Sequence, residues 1–97
     1  MLVDQNRLLQ LNALQKKINI QFSDVYTLNH AFIHPSYTNE KGSLYQDNNQ
    51  RLEFLGDSVL ELAVSEYLYR NYDLLTEGQM TKVRAITVCE PSLARVA

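Results

Sequence analysis

The chain has 97 residues, of which 45% are hydrophobic, and a formal net charge of −2 at pH 7. This length predicts a single domain with a small core. The sequence contains no basic block that would grip nucleic-acid phosphates unaided, and its single cysteine excludes an intramolecular disulfide. No charged leader precedes an apolar segment and no apolar run is long enough to span a bilayer, so we expect a cytoplasmic protein without a membrane segment.

The first third of the sequence predicts two helices. Apolar residues at helical spacing indicate an amphipathic helix over residues 4 to 18; they are Leu8, Leu11, Leu14 and Ile18. A second helix is expected to begin at Ser23 and to end at Pro35, because the residue before a proline is pushed out of helical geometry. A polar loop from Thr38 to Asn48 should follow.

The middle of the sequence predicts one long helix. Asn48 or Asn49 can cap its first turn, because a short polar side chain accepts a hydrogen bond from a free backbone N–H group. Apolar character then continues to about Asn71. We expect a turn over residues 73 to 75.

Two further helices are predicted after this turn. Thr76 and Gln79 have the spacing of a capping box, which predicts a helix over about residues 77 to 88. Pro91 is suited to a first helical position, so a fifth helix should begin there and reach the end of the sequence at Ala97.

Two carboxylates inside the long helix are the first candidate site. Positions four apart share a helix face, so Glu53 and Asp57 should point the same way and could hold a hard cation such as Mg²⁺. The alternative is a solvated acidic face, which is common in helices. The surrounding residues are strongly apolar, so we expect little of this helix to face water. Gly56 weakens the helix, and a close approach by another backbone would explain its presence.

Several motifs now indicate a family. The octapeptide from Gln50 to Asp57 resembles the signature of the ribonuclease III endonuclease domain. His34-Pro35-Ser36 and Asn39-Glu40 are similar to the family's upstream residues. The stretch from Glu77 to Ala85 is similar to its Glu-Gly-x-[Leu/Met]-[Ser/Thr]-x-x-Arg-Ala segment, and Pro91-Ser92-Leu93-Ala94 fits the start of the next helix.

The resemblance implies an all-α fold and Mg²⁺-dependent cleavage of double-stranded RNA, in ribosomal and other precursor transcripts. Glu53 and Asp57 would be catalytic and would ligate Mg²⁺, with Mn²⁺ as an alternative and no organic cofactor. Glu77 would assist with the substrate, although an acid in a first helical turn can also simply favour the helix dipole. His34 and Ser36 are better explained by hydrogen bonding and capping than as a base and a nucleophile.

The resemblance also implies a homodimer in which Phe54 inserts into a socket on the partner. Taken without the family, Phe54 would instead fill its own core. Lys82 and Arg84 could contact phosphate, but charged residues on a solvated face are the commoner explanation. The tyrosines at positions 67, 69 and 72 are expected to pack rather than to stack on RNA, because no basic run interleaves them.

Two departures from the family pattern concern activity. Gln50 stands where the family carries an acid, which should weaken metal or substrate handling. The family's downstream Asp-x-x-Glu pair is not reached before Ala97, and the double-stranded-RNA-binding module is absent. We therefore expect residues 1–97 to form a partial endonuclease domain without its C-terminal helices, inactive or impaired as it stands. The alternative is a non-catalytic helical dimerisation or RNA-associated module.

Overall fold

The computed structural model describes residues 3–37 and 48–97, which are helical and contain no strand. The helices are α1 (Gln5–Ile18), α2 (Val25–Ala31), α3 (Gln50–Asn71), α4 (Glu77–Thr87) and α5 (Glu90–Val96). The chain divides into two compact units, Met1–Glu53 and Phe54–Ala97. The expected all-α fold is confirmed. The predicted loop, with Asn39-Glu40, lies outside the described residues.

In the first unit, α1 packs against α2 around a few buried side chains. The Asp4 carboxylate caps α1 by accepting the Arg7 backbone N–H at 2.7 Å, and the helix ends at Asn19 in the left-handed conformation, with φ of 58°. Leu11 and Leu28 are buried. The connection is held by buried Gln15, whose Oε1 accepts the Phe22 backbone N–H at 2.7 Å.

The predicted end of the second helix is wrong, because α2 stops before Pro35. The backbone N–H groups of Phe32 and Ile33 bond to carbonyls three residues earlier, which tightens and closes the helix. The carbonyls of Ala31 and Ile33 then accept hydrogen bonds from the side chain and backbone of Asn49, at 2.7 and 2.8 Å. Pro35 instead begins a new helical turn over residues 35 to 37.

Of the two predicted caps, the Asn48 side chain caps the first turn of α3, whereas the Asn49 side chain donates to the Ala31 carbonyl. The Asn48 side chain accepts the Gln50 backbone N–H at 3.0 Å, and the Asn49 carbonyl accepts the Glu53 backbone N–H at 2.8 Å. The Asn48 carbonyl also accepts a hydrogen bond from the His30 ring at 2.6 Å. The start of α3 is thus tied to α2 within the first unit.

The expectation that little of α3 faces water is wrong. Phe54 is 79% exposed and Leu62 is 68% exposed, and Leu55 and Val59 are similarly open. Among the described residues of α3, only Leu68 is buried. An apolar residue is removed from water only where another element covers it. Within the second unit, α4 contacts the C-terminal half of α3.

The second unit follows the sequence prediction closely. A turn occupies residues 73 and 74, and Thr76 and Gln79 form the predicted reciprocal capping box at the start of α4. Pro91 lies in the first turn of α5. No helix in the described residues is long and apolar enough to cross a membrane.

Candidate metal site on the long helix

Glu53 and Asp57 both lie in α3, where the register of one continuous helix sets them one turn apart. Both side chains are exposed. Neither takes part in a hydrogen bond or an ion pair with the residues that the structure describes; the ion pair found there joins Arg70 to Glu66 at 3.6 Å. The two carboxylates are therefore open to water and to a ligand.

The other two predicted site residues, one amide and one acid, lie at the starts of helices. Gln50 is the first residue of α3 and Glu77 is the first residue of α4, and both are exposed. Residues 3–37 and 48–97 contain no group of three histidine, cysteine or acidic side chains that could hold a metal. Helix register brings Glu53 and Asp57 together, and the described residues supply no third ligand.

A pair of carboxylates is nevertheless a suitable partial site for Mg²⁺. This ion is commonly held by one or two protein carboxylates, and water and substrate phosphate complete its octahedron. Glu53 and Asp57 have the donor type that Mg²⁺ prefers, and their exposure leaves space for water. The residues present thus fit the cation, with most of its coordination sphere coming from elsewhere.

Phe54 follows Glu53 directly and does not fill its own core. Its side chain is 79% exposed, so the alternative of a core phenylalanine is wrong for the described chain. A large exposed aromatic residue beside other exposed apolar side chains marks a surface that binds another molecule.

Gly56 is not explained by a close backbone approach of any residue that the structure describes. A Cβ built on Gly56 would meet no atom within 4 Å. The expectation of a close contact is therefore wrong for the described residues, and an alanine would fit at this position.

His34 stabilises the turn that follows α2, as the sequence suggested. Its Nδ1 accepts the Ser36 backbone N–H at 3.1 Å and lies 2.7 Å from the Ser36 hydroxyl. Because Nδ1 acts as an acceptor, the ring proton is on Nε2. His34 thereby caps the turn that begins at Pro35, and Ser36 shares in this cap.

Two polar contacts in the second unit were not foreseen from the sequence. The Arg84 guanidinium donates to the Ser65 hydroxyl at 2.8 Å and so links α4 to α3. Cys89 lies at the start of α5, where hydrogen bonds from the side chain and backbone of Ser92 lower the pKa of its thiol. Arg84 and Ser65 lie 19 residues apart, so no local pattern signals their contact, whereas Cys89 and Ser92 have the three-residue spacing of a helix start.

Comparison with known proteins decides the family. The sequence model of the ribonuclease-III-like family matches residues 24–97, which are more than half of the sequence. The chain belongs to the ribonuclease-III-like family. Ribonuclease 3 of Geobacillus thermodenitrificans is 50% identical over 93 residues, which are 96% of this chain and 38% of that protein.

Two further ribonuclease-III-like relatives give the same result. Ribonuclease 3 of Bacillus cereus (strain AH187) and of Bacillus anthracis (strain A0248) are each 54% identical over 83 residues, covering 86% of this chain and 34% of the relative. The chain thus spans roughly a third of the length of the curated relatives it matches. No solved structure matches it.

Proposed function

We propose that this chain is a partial endonuclease domain, residues 1–97, of a Mg²⁺-dependent endoribonuclease that cuts double-stranded RNA. The observation that carries the proposal is the exposed pair Glu53 and Asp57, one helical turn apart on α3 in a chain of the ribonuclease-III-like family. Ribosomal and other precursor transcripts in the cytoplasm are the proposed substrates.

The proposed chemistry assigns one function to the carboxylates. Glu53 and Asp57 hold the cation and leave positions free for water and for a phosphodiester oxygen. A bound Mg²⁺ supplies an acidified water and steadies negative charge on phosphate, and Mn²⁺ can substitute for it. Under this scheme no histidine base is needed, which is consistent with the capping role of His34.

Two further residues are proposed to modify the site. Gln50 lies one turn before Glu53 and offers a neutral amide where the family carries an acid, so it should weaken metal or substrate handling. Glu77 is proposed to assist with the substrate from the start of α4. The resemblance implies further acids downstream, so we propose full activity for a chain that contains them and impaired activity for these 97 residues.

A homodimer is part of the proposal. Phe54, Leu55, Val59 and Leu62 form an exposed apolar surface on α3. A second copy that covers this surface would remove it from water, at about 25 cal/mol per Å² of apolar area. Phe54 is the proposed central contact.

A second candidate function is a non-catalytic helical module that dimerises or associates with RNA. Gln50 favours it, because this position lacks the family's charge. The retained Glu53, Asp57 and Glu77 favour the enzyme.

The test uses the protein extended through the downstream Asp-x-x-Glu pair and a radiolabelled RNA duplex. We expect cleavage with Mg²⁺ and none with a chelator. Loss of a residue that only hydrogen-bonds to a metal ligand lowers activity roughly 10–100-fold. Asp57→Asn removes a proposed ligand itself, so it should lower the cleavage rate by more than this. Asp73→Asn removes the same charge from an exposed turn and should leave the rate unchanged.

The two candidate functions predict different results. Intact duplex across a range of Mg²⁺ concentrations, in a protein that still dimerises, would support the non-catalytic module. Equal rates for Asp57→Asn and Asp73→Asn would show that cleavage does not depend on the pair on α3.

A further inference from the structure

A groove of about 400 Å³ lies in the first unit, and neither Glu53 nor Asp57 lines it. Side chains of α1, of α2 and of the residues that follow α2 form its walls. They include Asp4, Arg7, Asn29, Phe32, His34 and Tyr37. The groove combines cationic, hydrogen-bonding and aromatic groups, which is typical of a site for a small polar ligand.

Arg7 is fixed in this groove by neutral partners. Its Nε donates to the Oδ1 of buried Asn29 at 2.7 Å, one terminal nitrogen donates to Gln10 at 3.3 Å, and the guanidinium carbon lies 6.0 Å from the centre of the Phe32 ring. No carboxylate of the described residues lies within ion-pair distance of it. Arg7 is therefore an oriented cation with donors left over, which suits a phosphate or carboxylate group.

His34 adds a second donor to the same groove. Its Nδ1 is occupied by the N–H and hydroxyl of Ser36, so the Nε2–H is the ring's available donor. The side chain is exposed and lines the groove with Arg7. An anion between them would receive hydrogen bonds from both.

Aromatic surface lies beside these donors. Phe32 is 54% exposed and Tyr37 is 39% exposed. Exposed rings next to an arginine can stack on a nucleobase, whereas a bare anion needs no such surface. The combination fits a nucleotide better than inorganic phosphate.

We propose that the groove formed by Arg7, His34, Phe32 and Tyr37 binds an unpaired RNA nucleotide through its phosphate and its base. That the nucleotide belongs to RNA rests on the proposed function; the fit to a nucleotide rests on the groove. Asp4 moderates the affinity, because its carboxylate lines the groove while it caps α1.

The first experiment titrates the unmodified 97-residue chain, in chelator, and follows amide and side-chain NMR signals. Inorganic phosphate, uridine, uridine monophosphate and a short oligouridylate are compared at equal ionic strength. We expect the signals of Arg7, Asn29 and His34 to move, with the nucleotide binding more tightly than phosphate or uridine. Absent shifts would overturn the proposal, as would binding of phosphate as tight as that of the nucleotide.

The second experiment uses substitutions on α1. Arg7→Gln should reduce the slope of log affinity for oligouridylate against log salt by about 0.7, the value for one phosphate contact on a single strand. Lys17→Gln removes an exposed charge elsewhere on α1 and serves as the matched control, with an unchanged slope. Equal slopes for the two variants would overturn the phosphate contact.

A third variant guards against misfolding of Arg7→Gln. Asp4→Asn keeps a good helix cap but removes the negative charge from the groove. It should tighten nucleotide binding roughly 1.4- to 5-fold, the range for one exposed charge pair. Unchanged or weaker binding by a folded Asp4→Asn protein would contradict the proposal.

These results are separable from the nuclease test. Binding is measured without metal, so it does not require cleavage. If the extended protein cuts duplex RNA but Arg7→Gln behaves like Lys17→Gln, only the groove proposal fails. If the groove binds nucleotide and duplex stays whole, only the proposed enzyme function fails.

Discussion

Replacing Gly56 by alanine tests whether anything packs against α3 at this position. Gly56 lies inside the helix, and a Cβ at this position would meet no atom within 4 Å. The described residues therefore impose no steric cost, and the intrinsic helix preference decides the sign of the stability change. Glycine is about 0.8–1.0 kcal/mol less favourable than alanine in a helix interior. We expect Gly56→Ala to raise the free energy of unfolding by about 1 kcal/mol.

The assay is urea unfolding followed by far-ultraviolet circular dichroism, at a dilution where sedimentation shows a monomer. A gain of this size corresponds to a rise in melting temperature of about 4–8 °C for a chain of 60–100 residues. Ser58→Ala is the matched control, because Ser58 is also exposed on α3 and serine lies between glycine and alanine in helix preference. Its gain should be about half as large.

A loss of stability in the monomeric Gly56→Ala protein would refute the reasoning. It would mean that a segment of the same chain lies against Gly56, so that the added methyl group clashes. A gain in the monomer with weaker self-association at higher concentration would have a different meaning. It would place Gly56 in the contact between two copies.

Two other changes test contacts in the second unit. Arg84→Met should lower the free energy of unfolding by about 1 kcal/mol, because it removes the hydrogen bond to Ser65. A double-mutant cycle with Ser65→Ala should show that the two losses are coupled. Additive losses would mean that the contact contributes nothing to stability. Ser92→Ala should raise the pKa of Cys89, since the Ser92 hydroxyl is the main cause of its lowering, and titration of the thiolate absorbance measures the change. Folding lowers this pKa, so the thiolate of the wild-type protein stabilises the fold above the ordinary thiol pKa. This stabilisation is lost as the pH falls through the pKa of the folded state. Ser92→Ala should therefore make the free energy of unfolding depend less on pH.

Helix starts were predictable because their causes are local. A capping side chain reaches backbone N–H groups two or three residues away, so Thr76 with Gln79, or Asn48, can be recognised from sequence spacing alone. The second helix was predicted to begin at Ser23, one residue before the observed cap Asp24. Either short polar residue could have served, and spacing does not choose between them.

The end of α2 was not predictable in this way. Pro35 predicted a helix that continued up to it, but the carbonyls of Ala31 and Ile33 are satisfied by Asn49 instead of by further helical turns. This partner lies 18 residues from Ala31 in the sequence. A contact at that separation depends on how the chain folds back, and no local pattern contains it.

At the candidate site, too, the positions of the residues on the helix could be predicted from the sequence, but their exposure to water could not. Spacing correctly placed Glu53 and Asp57 on one helix, but the apolar residues around them predicted burial that the described chain does not provide. Phe54 is the next residue after Glu53, about 100° round the helix, so a partner that covers this ring would lie beside the carboxylate and exclude part of its water. Electrostatic attraction between carboxylate and cation strengthens as water is excluded. The proposed dimer and the proposed metal site on this helix should therefore favour each other, and by linkage each should raise the affinity of the other to the same degree.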